Sequence, residues 1–483
     1  MQQIQQIIQG YKKQFNNTTD LVTREFESKD NKKCVIVYLE NTVDALLLSE
    51  NVIECIQRLN LGDDTDIAQK CQNKIIGFSQ VSIAENKKDC IDGVLNGFAM
   101  LYIDKCKEVL KIQCPKWVAR QPAEPPTSAV IRGPREGFVE DINLNLSLLR
   151  KRLKTTNFVV DKMQIGRETH TQVRICYLQN VANPQIIEEI KQKLEKIDID
   201  GVVDSSYLSA FLGHNRHSLF RQVGSTEKPD IATAKILEGR VVILVDGSPI
   251  ALTLPYLLIE DLQNSDDYYA VPAKATFLRW IRFFGVVIAI LLPGTYVAML
   301  LYHYNIIPIK FLVTIMNSIQ GIPLPPFLEV LFIIFLFETL YEASLRMPRY
   351  LGLALSVVGA LILGDTAVKA GLISPPAVLI VAVTGVMSYT IPEQTAQISA
   401  LRLIFTIIGG VLGLYGIIVG AMVLVAYLAN MDNYRTSYLA PIAPFVLADQ
   451  KDALIKKSLC SQIHRPQSIP SKNKRRIGNE QQD

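Results

Sequence analysis

Three long stretches of this 483-residue sequence lack any Asp, Glu, Lys or Arg. They cover 27 residues between Arg282 and Lys310, 23 residues from Ala370 to Pro392, and 29 residues from Leu403 to Met431. About 20 apolar residues suffice for a helix to cross a bilayer. Inside the hydrocarbon, only a helix or a closed barrel satisfies its own backbone. These stretches exclude a wholly soluble protein and predict a multi-span α-helical membrane domain over 277–431.

The sequence also lacks the patterns of several common sites. Its eight cysteines include no CxxC pair, which is typical of reduced thiols in a cytoplasmic protein. No GxSxG motif accompanies Asp204, Ser205 and His214, so these residues do not predict a hydrolase. His214 and His217 have the spacing of two ligands on a helix but no third ligand pattern nearby, and a polar loop is the better interpretation. We therefore expect no enzyme activity, no cofactor and no metal.

The first 15 residues lack a long apolar core and a small-residue cleavage site. This pattern predicts no signal peptide and a cytoplasmic N-terminal half. The net charge is +4, and residues 451–483 hold eight Lys or Arg against three Asp or Glu, which is +5. The basic excess is thus a C-terminal tail. Such a tail is attracted to an anionic membrane leaflet, or it is a solvated terminus. Nothing in the charge pattern predicts a nucleic-acid partner.

The N-terminal half contains two similar series of apolar runs, each typical of buried strands. Val35–Asn41 matches Arg174–Asn180, and the run from Gly97 to Pro115 matches the run from Gly239 to Pro255. The offset between the matched runs stays near 140 residues, which favours an internal duplication over chance. We predict two α/β subdomains with the same order of strands.

These patterns predict a fold class of two parts, namely an α/β soluble N-terminal half made of two similar subdomains and a multi-span α-helical membrane domain. The predicted segments are a polar N-terminal segment (1–30), α/β subdomain 1 (31–116), a Pro-rich linker with a connecting helix (117–155), α/β subdomain 2 (156–272), the transmembrane domain (277–431) and a basic C-terminal tail (432–483).

One glycine-rich motif precedes the connecting helix. It lacks the lysine of a phosphate-binding loop and the GxGxxG spacing, so nucleotide binding is the weaker interpretation. We predict a turn at a subdomain or subunit joint, where Arg135 and Glu136 form fixed ion pairs. The members of this predicted assembly joint are Gly133, Pro134, Arg135, Glu136 and Gly137.

Charged residues interrupt the two shorter apolar runs of the membrane domain. Glu338 and Glu342 are four residues apart and share one helix face, and Arg346 continues that face. Asp365 and Lys369 have the same spacing and are expected to neutralise each other. An acidic or basic side chain at the centre of a bilayer costs about 2.5–3.5 kcal/mol on insertion scales. Glu338 and Glu342 therefore belong either to a helix end, where charges are cheap, or to an ion route or intersubunit bridge.

A stripe of small residues lies in the run from Tyr350 to Gly371. Small residues at four-residue steps allow helices to approach closely in lipid, and the same stripe suits a narrow pore lined by identical helices. Both interpretations stay open. The residues predicted to line or border an ion path are Ser356, Ala360 and Gly364, together with Glu338, Glu342 and Asp365.

Several motifs, taken together, resemble one known family. They include IRGPREGFVEDI, QIGRETHTQVRICYLQNVANP, EGRVVILVDGSPIAL, LRMPRYLG and KAGLISPP. The sequence from about Ile131 to Phe445 resembles the A subunit of spore germination receptors, the GerA family. The chain departs from the family pattern near Ala270–Ala275 and at Glu393, which leaves the interfacial helix open and makes Glu393 particular to this chain.

The resemblance implies a location, partners and a function. Such A subunits lie in the inner membrane of bacterial endospores, with their N-terminal domain in the spore core. They work with a permease-like B subunit and a lipoprotein C subunit. The family is expected to form a homo-oligomer, a pentamer, that conducts cations when a nutrient is sensed. The alternative is a non-conducting scaffold that holds the B and C subunits.

The basic residues at the ends of the apolar runs predict which ends are cytoplasmic. Arg279 and Arg282 precede the first run, Arg346 follows the second, and Arg402 precedes the last. Five crossings would place the basic tail outside, against its charge. Either one segment is re-entrant, or the run 306–324 or 403–431 contains a further crossing.

Overall fold

The computed structural model describes residues 2–62, 67–74, 81–114, 133–215, 218–346, 359 and 365–477. The chain forms two compact units, which we call the sheet unit and the helical unit. The sheet unit comprises Met1–Leu257, Asp432–Thr436 and Cys460–Asp483. The helical unit comprises Leu258–Met431 and Ser437–Leu459.

Two five-stranded sheets form the centre of the sheet unit. The strands of the first are β1 (Leu21–Glu27), β2 (Lys33–Leu39), β3 (Val81–Ile83), β4 (Phe98–Ile103) and β5 (Leu110–Gln113). The strands of the second are β6 (Phe158–Ile165), β7 (Thr171–Leu178), β8 (Gly224–Thr226), β9 (Val241–Val245) and β10 (Ala251–Leu254). Their orders are β1-β2-β4-β5-β3 and β6-β7-β9-β10-β8, and every neighbouring pair is antiparallel. The two orders are the same, which confirms the predicted shared topology.

The first sheet begins before residue 31, the boundary expected for subdomain 1. β1 pairs with β2 along its full length, from Leu21 opposite Leu39 to Glu27 opposite Lys33. As an edge strand, β1 carries charged side chains on an exposed face, which blunts the edge but hides the strand pattern in the sequence. The predicted polar N-terminal segment 1–30 thus contains a helix and a strand of the first sheet, and its Phe15 is fully buried.

Helices cover both sheets. They are α1 (Gln2–Gln14), α2 (Ala45–Leu48), α3 (Glu54–Arg58), α4 (Ile67–Lys74), α5 (Lys87–Leu95), α6 (Ile142–Arg152), α7 (Pro184–Glu195), α8 (Ser205–Leu212) and α9 (Pro229–Glu238). A π-helical turn, Ser49–Ile53, joins α2 to α3. The connecting helix α6 begins after Asp141, whose side chain accepts a hydrogen bond from the Asn143 amide, as N-caps do.

The helical unit consists mainly of apolar helices, which differ widely in length, together with one short acidic helix, Asp266–Tyr269. They are α10 (Asp266–Tyr269), α11 (Pro272–Tyr302), α12 (Ile309–Ile319), α13 (Pro326–Arg346), α14 (Pro375–Ser388) and α15 (Thr395–Ala429). Among the described residues, two segments are long and apolar enough to cross a membrane, Pro272–Tyr302 and Pro392–Ala429. The run 306–324 contains only α12, whose 11 residues extend about 16 Å at 1.5 Å per residue.

Helix α15 is folded back on itself at Gly413. This glycine has φ 65° and ψ −158°, which lies outside the helical region. A Cβ placed on Gly420 would be 3.2 Å from Phe405 Cε1 and 3.4 Å from Ile408 Cδ1. In a straight helix, positions 405 and 420 would be about 22 Å apart. The segments 395–412 and 414–429 are thus the two arms of a helical hairpin, so the 403–431 run changes direction inside itself.

The backbones of α11 and α15 touch directly. A Cβ on Gly294 would collide with the Phe405 carbonyl, and one on Gly409 would collide with the Gly294 carbonyl. Glycine at such positions lets two helices approach more closely than any other residue allows. Near the turn, the Tyr302 hydroxyl donates to the Gly410 carbonyl at 2.9 Å, which satisfies an acceptor at the end of the first arm.

The C-terminal segment is built into the two units rather than forming one tail over 432–483. Residues Asp432–Thr436 belong to the sheet unit, where Tyr434 is fully buried. Further along, the Lys472 amide donates to the Val181 carbonyl at 2.8 Å, and Arg465 Nε donates to the Leu237 carbonyl at 2.7 Å. The basic residues of this segment are therefore held partly by backbone carbonyls of subdomain 2.

Candidate ion path and assembly joint

An ion pair between a buried arginine and a partly exposed glutamate joins two helices of the helical unit. Glu338 of α13 accepts from Arg402 of α15 and from the Ser399 hydroxyl. The Arg402 side chain is 3% exposed and the Glu338 side chain 36%. Arg402 also lies 3.4 Å from the Thr384 hydroxyl of α14, so three helices contribute to this cluster. A charge pair of this kind is costly among apolar helices and is therefore a candidate for function.

Arg402, predicted as a basic flank on the cytoplasmic side of the last span, has a partner that the sequence does not indicate. It lies inside α15, seven residues after the helix begins at Thr395, and faces Glu338. A linear sequence shows Arg402 as the first charge before an apolar run, whereas the partner that neutralises it is 64 residues away.

The other acidic residues of the predicted ion path pair within their own segments. Arg346 Nε donates to Glu342 Oε1 at 2.8 Å, and Lys369 Nζ donates to Asp365 Oδ2 at 2.8 Å. Both i,i+4 pairings follow the predicted spacing, and both pairs are largely exposed. The small-residue stripe, namely Ser356, Ala360 and Gly364, lies outside the described residues.

A fourth acidic residue of the helical unit was not among the predicted site residues. Glu329, in the first turn of α13, is fully buried and accepts a hydrogen bond from the Ser374 amide. Ser374 is the N-cap of α14, so a carboxylate meets the start of a neighbouring helix, where negative charge is favoured. The sequence indicates this residue only as a glutamate among the apolar residues of Pro326–Val330. Its position near the start of an apolar run makes it resemble a charge at a helix end.

The predicted assembly joint makes contacts with the far end of α6. Glu136 pairs with Arg152 at 2.7 Å and with Lys151 at 3.4 Å. Burial raises the pKa of Glu136, but the two cations outweigh it and hold the pKa below its usual value. Gly133 has φ 118°, a conformation that favours glycine. The remaining members, Pro134 and Gly137, lie in the same irregular segment before α6, and Arg135 also has partners.

A different residue pair holds the two subdomains together. Arg150 of α6 donates through Nε and Nη2 to Asp20 at 2.8 Å and 2.7 Å, and both side chains are almost fully buried. Thr18 adds a hydroxyl that accepts from the Val160 amide of β6 at 3.0 Å. Subdomain 1 thus contacts α6 and β6 through the turn before β1. The assembly joint at Gly133–Gly137 stays a prediction, separate from this contact.

A charge network also surrounds the start of α11. Asp267 is buried and accepts from Arg282 at 2.8 and 3.0 Å and from Arg279 at 3.1 Å. Arg279 Nη1 also donates to Asp452 Oδ1 at 3.1 Å. Burial raises the pKa of Asp267, but the Arg282 and Arg279 guanidinium groups outweigh it and hold the pKa below its ordinary value of 3.8. The network fixes residues around Asp452 to the first long helix.

His214 is placed by protein contacts. Its Nε2 lies 3.2 Å from Glu189 Oε1, and Lys193 Nζ is 3.3 Å from the ring. Burial and the nearby lysine hold the pKa of His214 below its usual value. Its predicted companion His217 lies outside the described residues. No group of three or more His, Cys, Asp or Glu that could hold a metal occurs in the part of the chain that the structure describes.

Comparison with known proteins decides the family. The chain matches the family described as Bacillus/Clostridium GerA spore germination protein over residues 9–468. The chain belongs to the GerA family. It is 33% identical over 474 residues to spore germination protein KA of Bacillus subtilis (strain 168), which covers 97% of this chain and 87% of that protein. Membership of this family supports a role in spore germination.

Two further relatives are similar over long stretches. An uncharacterized membrane protein of Bacillus subtilis (strain 168), YfkQ, is 32% identical, covering 93% of this chain and 88% of that protein. The crystal structure of the N-terminal domain of the A subunit of the Bacillus megaterium spore germinant receptor GerK3 is 27% identical, with a TM-score of 0.40. That match covers 52% of this chain and 94% of the solved domain.

Proposed function

We propose that this chain is the A subunit of a nutrient-sensing spore germination receptor. In this proposal it oligomerises in the spore inner membrane, as a pentamer, into a nutrient-gated cation channel that triggers germination. Its partners are a permease-like B subunit and a lipoprotein C subunit. The observation that carries the proposal is the Glu338–Arg402 pair, in which a buried arginine meets a partly exposed glutamate between apolar helices of a GerA-family chain.

Aromatic side chains support a membrane position for the helical unit. Trp280, near the start of α11, is 37% exposed, and Tyr302 at its end is 50% exposed. These two residues are 22 positions apart (302 minus 280), or about 33 Å along a helix. The hydrocarbon core of a bilayer is about 30 Å thick, and Trp and Tyr concentrate at its two boundaries. Tyr415, beside the hairpin turn, is 76% exposed and joins the Tyr302 boundary.

The path of the chain supports an even number of crossings. The chain leaves the sheet unit after Leu257 and returns to it at Asp432. A segment that starts and ends in one folded unit must cross a bilayer an even number of times. The N-terminal half and the C-terminal segment then share one side, the cytoplasmic side that becomes the spore core. The turn at Gly413 supplies the change of direction that five uninterrupted crossings would lack.

Within this proposal, the ion path passes close to the small-residue stripe and the acidic residues of α13. The stripe residues Ser356, Ala360 and Gly364 would be repeated as rings in a symmetric oligomer, and rings of charge near a mouth select ions. Glu338 is the acidic residue best supported, because it is partly exposed while bound to a buried cation.

The same pair favours a second candidate, a non-conducting scaffold. An ion pair that is neutral overall can serve solely to fix the packing of α13 against α15, and buried pairs are used in this way for specificity. In that case, the chain would position the B and C subunits while another component carries ions.

A comparison in spores tests the proposal. Glu338→Gln, introduced into a strain whose only copy of the receptor carries it, should reduce nutrient-triggered cation release while the receptor is still present in the membrane. The matched control is Glu342→Gln, because Glu342 is exposed and, among the described residues, forms its ion pair with Arg346 of its own helix. Release that is unchanged in Glu338→Gln spores with a normal receptor level would favour the scaffold. Absence of any nutrient response in the parent strain would contradict the receptor proposal.

A further inference from the structure

Two residues connect the end of the helical hairpin to the core of subdomain 2. Asn433 and Tyr434 follow the last helical residue, Ala429, by only four and five positions. We propose that they form a latch, which transmits changes in subdomain 2 to the hairpin 395–429. This inference rests on the proposed function, because it names the route by which the sheet unit acts on the helices.

Tyr434 is part of the hydrophobic core of subdomain 2. Its side chain is 0% exposed and packs in the same apolar cluster as Leu212 and Val223. Its hydroxyl donates to the Leu212 carbonyl at 2.8 Å. Lys193 Nζ lies 4.3 Å from the centre of the ring, on its face, as in a cation–π contact. A residue that follows a membrane-type helix so closely is therefore an internal part of another folded unit.

Asn433 holds both chain connections of the sheet unit. Its Nδ2 donates to the Gln222 carbonyl at 2.6 Å and to the Tyr256 carbonyl at 2.9 Å, and its side chain is 0% exposed. Tyr256 is one residue before Leu257, where the chain leaves for the helical unit. One carboxamide thus joins the departing segment, the returning segment and the turn before β8.

The latch lies at a tight turn between two short paired strands, Asp432–Asn433 and Thr436–Ser437. Tyr434 and Arg435 are the two central residues of this turn, with φ 50° and 62°. A favoured two-residue hairpin turn has a positive φ at both central positions, so the turn itself accounts for these values. Arg435 Nη1 reaches Gln185 Oε1 of α7 at 2.5 Å, which adds a contact to the turn. The turn and these contacts hold Tyr434 in its seated arrangement, and the proposed coupling adds an unseated arrangement in which they are lost.

A short connection couples the position of Tyr434 in subdomain 2 to the end of helix α15. Only Asn430, Met431 and Asp432 separate the end of α15 from Asn433. Three residues extend at most about 10 Å, so a displacement of Tyr434 beyond that reach would pull on the end of the second arm. In the structure described here the latch is seated, which we assign to the resting receptor.

Hydrogen exchange of the purified full chain in detergent tests the coupling. Tyr434→Phe keeps the ring and removes the hydroxyl that binds the Leu212 carbonyl. We expect faster exchange both around residues 205–215 and in the second arm, 414–429. The matched control is Tyr177→Phe, which removes a hydroxyl bonded to Asp161 at 2.9 Å in the same core cluster. The control should leave exchange in the second arm unchanged.

The same experiment also defines the result that would contradict the latch. Faster exchange around 205–215 with an unchanged second arm, in both Tyr434→Phe and Asn433→Ala, would overturn the latch and reduce these residues to local packing. Neither outcome depends on ion flux, so failure of the latch is distinguishable from failure of the proposed function.

The nutrient concentration for half-maximal cation release gives a functional measure of the latch. A lost buried hydrogen bond corresponds to about a fivefold change in an equilibrium constant. Since the seated latch is assigned to the resting state, Tyr434→Phe spores should need about fivefold less nutrient for half-maximal cation release. An unchanged or raised nutrient requirement, in spores that contain normal receptor levels, would contradict the assignment.

Discussion

Removing the charge of Glu338 should destabilise the helical unit more than removing its partner. Glu338→Gln keeps an acceptor oxygen next to Arg402 but removes the counter-charge of a guanidinium that is 3% exposed. Breaking a buried pair by deleting one partner costs about 3–5 kcal/mol, because an uncompensated charge stays buried. Since Glu338 is itself one-third exposed, we expect the lower end, about 3 kcal/mol.

The reverse deletion has a smaller expected cost. Arg402→Met removes the buried charge and leaves a carboxylate that is 36% exposed and still accepts from Ser399. We expect about 1–2 kcal/mol for this change. The double variant Glu338→Gln with Arg402→Met has no buried charge, so it should be more stable than Glu338→Gln alone. The coupling between the two sites is therefore expected to be about 2 kcal/mol.

The assay is unfolding of the full chain in mixed micelles by sodium dodecyl sulfate. Trp280 in α11 serves as the fluorescent reporter after Trp117→Phe, because the sequence has two tryptophans. Glu342→Gln is the control, since its exposed pair should contribute less than about 1 kcal/mol. The reasoning is refuted if Glu338→Gln costs no more than this control, or if the double variant loses the sum of the two single losses.

Three further predictions concern the rest of the molecule. Asp20→Asn should lower the free energy of unfolding of the sheet unit, measured in urea, by about 3–5 kcal/mol, because Arg150 then stays buried without a counter-charge. A loss below about 1 kcal/mol would contradict the importance of this pair. Gly409→Leu should prevent the close approach of α11 and α15 and abolish recovery of folded protein from membranes, whereas normal recovery would show that the contact is dispensable. Because the pKa of Asp267 is depressed in the folded state, its contribution to stability is fully present above pH 4 and is lost as the pH falls below that value. Melting temperatures measured between pH 7 and pH 3 should show this loss, and Asp267→Asn should reduce it.

The duplicated sheets could be predicted because both signals are local. The central strands β2, β4, β7 and β9 each contain an apolar run, and the copies recur at a nearly constant offset, so pattern and position agree. Strand β1 was not predicted, because its sequence LVTREFE contains exposed charged residues that interrupt the apolar pattern. The contact made by the turn before β1 was not predicted either, because nothing in the sequence near Asp20 indicates that Arg150 is its partner.

The helical unit was predictable in composition but not in path. Absence of charge identifies apolar helices, yet it carries no information about direction, so the reversal at Gly413 is invisible among the neighbouring Gly409, Gly410 and Gly416. The pairing of Arg402 with Glu338 depends on how three helices pack, which no spacing rule covers. The i,i+4 pairs of Glu342 and Asp365, in contrast, follow from one helix alone.

The most direct test of the account is cation flux through the purified chain in liposomes. Potassium release should be measured together with oligomer size, for the natural sequence and for Ala360→Phe and Ala360→Ser. The account predicts an oligomer that conducts, a block of flux by Ala360→Phe without change in oligomer size, and a leak through Ala360→Ser. Correctly assembled oligomers that never conduct, alone or with their partner subunits and nutrient, would contradict it.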